Sequence, residues 1–181
     1  MITLQTERLL LIALNLEQLD LALYHQHRLA EQLHIYIDAD VFSEESRQAM
    51  MIKMARMSHI ERSLHPWYTY FLIVQAEDRR AVGVCGFKGS PTPAGWAEVG
   101  YAMHPGYRNR GYMTETVRSM VQWAFQQESC TCVTAETLRD NFASQRVLQK
   151  AGLALDRAGE NMVYWRIDKE ALPAAKPGDG A

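Results

Sequence analysis

The residues of this 181-residue chain best suited to chemistry lie in one short segment, Tyr107-Arg108-Asn109-Arg110-Gly111-Tyr112-Met113. It falls between a strand-like run ending at Met103 and an amphipathic helix beginning near Gly111. A helix start presents N–H groups without intrahelical partners and the positive end of the helix dipole. Gly111 permits close backbone approach, and Arg108 and Arg110 add positive charge, so the segment suits a pyrophosphate. By itself the same composition also describes an ordinary solvated loop. A second segment, Asn141-Phe142-Ala143-Ser144-Gln145-Arg146-Val147-Leu148-Gln149-Lys150-Ala151-Gly152-Leu153, stands at the start of the next helix, one strand later. Two carboxylates, Glu98 and Glu136, lie on the strands that precede these segments.

The elements that must position these residues follow from hydrophobic periodicity. Leu4 to Leu11 reads as an opening strand, and Asn15 as the cap of a helix carrying Leu16, Leu19, Ala22 and Leu23. Ser43-Glu44-Glu45-Ser46 forms a capped, acid-rich first turn, after which Met50, Met54, Met57, Ile60 and Leu64 keep helical spacing until Pro66. A methionine stripe of this kind belongs to a core. Tyr68 to Gln75 and Ala81 to Phe87 are β-rich runs joined by a polar connection, which suits an antiparallel hairpin. Trp96 to Met103 reads as a strand ended by His104-Pro105-Gly106. Then come a helix carrying Met113, Val117, Met120, Val121, Ala124 and Phe125, a strand from Thr131 to Leu138, and a helix opened by Asn141 and closed by Gly152. Short strands over Leu153 to Arg157 and Met162 to Ile167 complete the pattern.

One strand-helix-strand crossover among hairpins predicts an α/β (α+β) fold with a mixed, mostly antiparallel sheet of six to seven strands flanked by helices. The length fits one domain over residues 1–170, with a Pro- and Gly-containing tail over 171–181 that is expected to be mobile. The formal charge of -2, from 19 basic and 21 acidic residues without long single-sign runs, gives no pull toward nucleic acid or membrane. No apolar run approaches the roughly 18 residues of a membrane span, and Met1 leads straight into the alternating first strand, so a cytoplasmic protein is expected. Cys85, Cys130 and Cys132 lack C-x-x-C spacing, and the six histidines form no H-E-x-x-H, so no metal is assigned. Neither G-x-x-x-x-G-K-[ST] nor G-x-G-x-x-G occurs, which argues against a nucleotide cradle.

Taken in order and spacing, the two segments resemble those of GNAT superfamily N-acetyltransferases. The R/Q-x-x-G-x-G/A pattern of that superfamily matches Arg108, Gly111 and Met113, with Met113 departing from the usual small residue. Thr6-Glu7-Arg8-Leu9-Leu10-Leu11, Glu98-Val99-Gly100-Tyr101, Gly111-Tyr112-Met113-Thr114-Glu115 and the segment from Asn141 to Gly152 are similar to motifs of the RimJ/RimL-like branch. The resemblance spans roughly residues 3 to 168. It implies a GNAT-like fold and acetyl transfer from acetyl-CoA to a primary amine, of a protein N-terminus or a small molecule, by direct attack in a ternary complex.

It also implies roles for particular residues. Arg108, Asn109, Arg110, Gly111, Tyr112 and Met113 would wrap the coenzyme pyrophosphate. Tyr101, Ala102 and Met103, on the splayed fourth strand, would line the pantetheine and offer a backbone N–H to the thioester oxygen. Glu98 or Glu136 would act as base, directly or through water. The position at which many superfamily members carry an acidic tyrosine is Leu148 here, so Ser144 becomes the candidate acid and coenzyme contact. Asn141 would hold the pantetheine arm, cap its helix, or do both. Tyr36, Trp67 and Tyr68 fall in acceptor-side regions, where aromatics either line an amine pocket or simply pack. Monomers and homodimers both fit the resemblance. Leu148 also leaves open a different class, a non-catalytic acyl-CoA-binding module.

Overall fold

The computed structural model describes residues 2–171, so the expected mobile tail lies, but for its first residue, outside the described residues. The opening run is not one strand. It divides into β1 (Thr3–Gln5) and β2 (Leu9–Ala13), which pair antiparallel around a turn that contains Thr6 and Arg8. α1 (Leu16–Tyr24) starts where Asn15 predicts, in a full capping box: Asn15 accepts from the Gln18 N–H while Gln18 answers the Asn15 N–H. α2 (Gln26–Leu33) follows and leads to the two-residue strand β3 (Tyr36–Ile37).

α3 (Glu44–Met57) has the Ser43 cap and acidic first turn read from the sequence but ends at Met57, so Ile60 and Leu64 lie beyond it. Pro66 does not simply stop a helix. It sits near the start of a separate short helix, α4 (His65–Tyr68), where a missing N–H costs nothing. Trp67 and Tyr68 are therefore helical, and the next strand, β4 (Phe71–Gln75), begins three residues later than the sequence suggested. β5 (Arg80–Phe87), β6 (Trp96–Met103), α5 (Tyr112–Gln126), β7 (Cys132–Leu138), α6 (Phe142–Ala151), β8 (Ala154–Ala158) and β9 (Met162–Asp168) match the expected elements to within a residue or two.

Among the described residues the sheet has nine strands rather than six or seven, because the opening strand is two and β3 is added. Its order is β1-β2-β4-β5-β6-β7-β9-β8, with β3 joining β5. Pairing is antiparallel except for β3 with β5 and β6 with β7. The second of these is the expected crossover through α5.

β6 changes partners along its length. Trp96, Ala97 and Glu98 pair with β7, whereas Val99 to Met103 pair only with β5. β7 meanwhile continues from Ala135 to Leu138 beside β9 alone. The two parallel strands thus separate after Glu98, and a fork opens between them.

Side chains alternate across the sheet, which separates two cores. Cys85 and Phe87 on β5, and Ala97 and Val99 on β6, pack with Trp123 of α5 and Leu148 of α6. Val84 on β5 packs on the other face with Met50 and Met57 of α3, and Ala102 of β6 rests against the same cluster. The methionine stripe is therefore core, as expected.

Candidate active site

The fork has a helix N-terminus on each arm. The chain leaves β6 at Met103 and enters α5 at Tyr112, and it leaves β7 at Leu138 and enters α6 at Phe142. Asn109 and Gly111 adopt left-handed conformations with φ of 62° and 81°, which fold the loop sharply into α5. Gly111 is its N-cap and supplies no side-chain cap bond, so the first-turn N–H groups remain available to a ligand. Arg108 donates weakly to the Met103 carbonyl at 3.4 Å, and Arg110 lies over the Tyr107 ring, so both guanidiniums flank the turn. The Met113 side chain is 7% exposed and packs inward with the α5 core. A larger residue is thus accommodated at that position without obstructing the turn.

α6 approaches β6 across the fork. The Tyr101 hydroxyl and Ser144 Oγ are 2.7 Å apart, and the same hydroxyl donates to the Ser144 carbonyl at 3.3 Å. Burial pushes the Tyr101 phenol up to about 12, only partly opposed by its hydrogen bond with Ser144. Asn141 accepts from the Ser144 N–H at 3.1 Å and so caps α6, one of its two expected roles. Leu148 is fully buried in the core, and its side chain carries no hydroxyl. The tyrosine–serine pair places two hydroxyls between β6 and the first turn of α6, and its Tyr101 half was not read as an acid from the sequence.

The two glutamates are joined by a residue that sequence reasoning missed. Lys88, just past β5, forms an ion pair with Glu98 and stands 3.6 Å from Glu136 Oε2. Partial burial opposes its charge, but the bond and charge of Glu98, with Glu136 behind them, outweigh that and hold the ammonium above the usual lysine range. Glu98 alternates with Ala97 and Val99 of the α5-side core, so it lies on the α3 face of the sheet. A Cβ built on Gly100, the next residue on that face, meets nothing within 4 Å, so space continues along β6 beyond the carboxylate. α3 is tied over this end of β5 by Lys53, which donates to the Phe87 carbonyl at 2.5 Å, and by Arg56, which donates to the Lys88 carbonyl at 3.3 Å. Burial draws the Lys53 ammonium down to about 8.

The expected acceptor-side aromatics do not come together. Tyr36 pairs in register with Arg80 and stacks under its guanidinium at the far end of β5. Seven residues of β5, about 23 Å of strand, separate it from Phe87 beside the glutamates. Trp67 is 5% exposed and packs 4.8 Å from Phe87 and 4.7 Å from Trp123, which makes it core rather than pocket lining. Tyr68 alone of the three is half-buried near this end of the sheet, its hydroxyl 3.2 Å from Ser90 Oγ.

Comparison with known proteins agrees with this geometry. Residues 8–154 match the model of the acetyltransferase (GNAT) domain family. The chain is 27% identical over 165 residues to the protein named "Uncharacterized N-acetyltransferase YjdG" of Bacillus subtilis (strain 168), covering 91% of this chain and 97% of that protein. Its fold is similar to that of RimL, a ribosomal L7/L12 alpha-N-protein acetyltransferase solved with coenzyme A, with a TM-score of 0.66, 14% identity and coverage of 94% of this chain and 99% of that one. It is also similar to MccE, a microcin C7 self-immunity acetyltransferase solved with acetyl-CoA and AMP, with a TM-score of 0.60, 14% identity and coverage of 90% and 93%. A forked mixed sheet with an uncapped α5 N-terminus on one arm and the Asn141-capped α6 on the other, and a family match over most of the chain, make this protein a member of the GNAT acetyltransferase family.

Proposed function

We propose that the protein transfers an acetyl group from acetyl-CoA to a primary amine, by direct attack in a ternary complex. The observation that carries this reading is the uncapped N-terminus of α5 on the fork, with Asn109 and Gly111 in left-handed conformations and Met113 turned inward. Such a turn aims successive N–H groups at one point and suits a pyrophosphate. Among the described residues, backbone groups of Val99 to Met103 on the side away from β5 lack a strand partner, which suits an extended pantetheine amide chain. The solved RimL and MccE complexes hold coenzyme A and acetyl-CoA, respectively, in folds of this kind.

When bound, the coenzyme supplies an activated acetyl thioester; this chain's residues supply the rest. Glu98 lies on the α3 face beside the open space at Gly100 and takes the proton of the incoming ammonium, directly or through water, with Glu136 as the second carboxylate. In the Ala102 and Met103 region of β6, the Met103 N–H faces away from β5 and is the backbone donor offered to the developing oxyanion. Tyr101 and Ser144 present hydroxyl protons where the thiol departs. RimL acts on a protein N-terminus, and an N-terminal or small-molecule amine both fit the open space beside Gly100.

Calorimetric titration with CoA and acetyl-CoA tests the reading. Specific binding that weakens in Arg108→Ala, followed by thiol release with peptides or polyamines, is the expected result. No binding by folded wild-type protein overturns it. The buried Leu148 favours one other reading, a coenzyme-binding module without transfer. That module would bind acetyl-CoA yet release no thiol with any acceptor.

A further inference from the structure

Arg8 lies in the turn between β1 and β2, and its contacts converge on the first turn of α5. Its Nε and Nη2 meet Glu115 Oε2 at 2.8 and 2.6 Å, and Nη1 donates to the Arg110 carbonyl at 3.1 Å. Its guanidinium carbon stands 4.8 Å from the centre of the Tyr112 ring, and Nη2 lies 3.4 Å from where a Cβ on Gly111 would sit. The other oxygen of Glu115 accepts from the Arg8 backbone N–H at 2.9 Å and from the Thr6 hydroxyl at 2.6 Å. These partners are 107 to 109 positions apart in sequence, so helix formation alone cannot account for them.

The turn they grip needs outside support. Asn109 at φ 62° is a non-glycine residue in a sparsely populated region, and such conformations persist when their surroundings over-determine them. α5 has no side-chain cap to close its start. The contacts to the Arg110 carbonyl, the Tyr112 ring and Glu115 hold the turn before, within and after Gly111. Nε, Nη1 and Nη2 of Arg8 are all engaged within the protein, and the carboxylate of Glu115 offsets its charge. Burial works against that carboxylate's charge, but the Thr6 hydroxyl and the Arg8 N–H and guanidinium outweigh it and hold Glu115 below the usual carboxylate range.

We infer that Arg8, Thr6 and Glu115 form a positioning unit that pre-forms the pyrophosphate turn, and that Arg8 is not itself a phosphate ligand. The inference rests on the coenzyme reading above. The test is the dissociation constant for CoA, by calorimetry, of wild type, Arg8→Lys and Glu115→Gln, with amide hydrogen exchange of residues 108–114 in the absence of CoA. A positioning unit predicts that both variants weaken CoA by roughly tenfold. It also predicts faster exchange in that turn, with exchange in α6 unchanged as the control for folding. If Arg8 instead bound phosphate directly, Glu115→Gln would free its guanidinium, and CoA would bind as tightly as in wild type or more so; that result overturns the inference. Unchanged binding in both variants overturns it as well. Absence of binding in the wild type overturns the coenzyme reading and this inference together.

Discussion

On the proposed coenzyme arm of the fork the working groups belong to the backbone, whereas on the α3 face of the sheet they are side-chain charges. The α5 turn presents N–H groups fixed by two left-handed residues and by a clamp from the first hairpin. The proposed acceptor face presents Lys88 between Glu98 and Glu136, three side chains on partly exposed surface. Backbone donors have the same chemistry whatever the residue, so the first arrangement tolerates substitutions such as Met113. The second depends on residue identity at every position. A shared cosubstrate and a variable acceptor would call for this division.

The sharpest way to break the comparison is at the carboxylates. Glu98→Gln is expected to lower kcat by about 100-fold or more while leaving the acetyl-CoA dissociation constant unchanged, measured by thiol release and calorimetry. Glu136→Gln should cost less. The reverse order would move the base to β7.

Gly111→Ala probes the other arm. A side chain at φ 81° costs about 1–2 kcal/mol, so CoA affinity should fall by roughly tenfold. Equal affinity would show that the turn is not the pyrophosphate site.

The hydroxyl pair bridging the fork should matter less. Tyr101→Phe removes two hydrogen bonds and Ser144→Ala one, and each is expected to lower kcat about three- to tenfold. With its phenol raised to about 12, Tyr101 keeps its proton through pH 10. An alkaline loss of activity below that pH, traced by a pH–rate profile, should therefore persist in Tyr101→Phe; its disappearance would assign the limb to Tyr101.

The smallest expected effect is at Lys88. Lys88→Met removes the cation shared by two carboxylates, making the acceptor face more negative by one charge. KM for a polyamine should fall about threefold at low salt, and less at high salt, while KM for an acidic peptide rises. No difference between these acceptors would separate Lys88 from their binding.

What was legible in the sequence was what local chemistry decides. Asn15 and Ser43 cap helices by bonding N–H groups three residues on, Gly152 takes the left-handed position that ends α6, and alternation along Trp96 to Met103 defines a strand. The order of these elements and the two helix-start segments were enough to place a helix start after each of the two parallel strands. Three features depended on distant partners instead. Thr6 and Arg8 leave the opening strand because Glu115 engages them from more than 100 residues away. Trp67 is drawn out of a pocket role by Phe87 and Trp123. Lys88 becomes part of the site only because β5, β6 and β7 lie side by side where the fork begins. Caps and periodicity act within a few residues of chain and can be read from it; an ion pair between strands exists only once the sheet has chosen its neighbours.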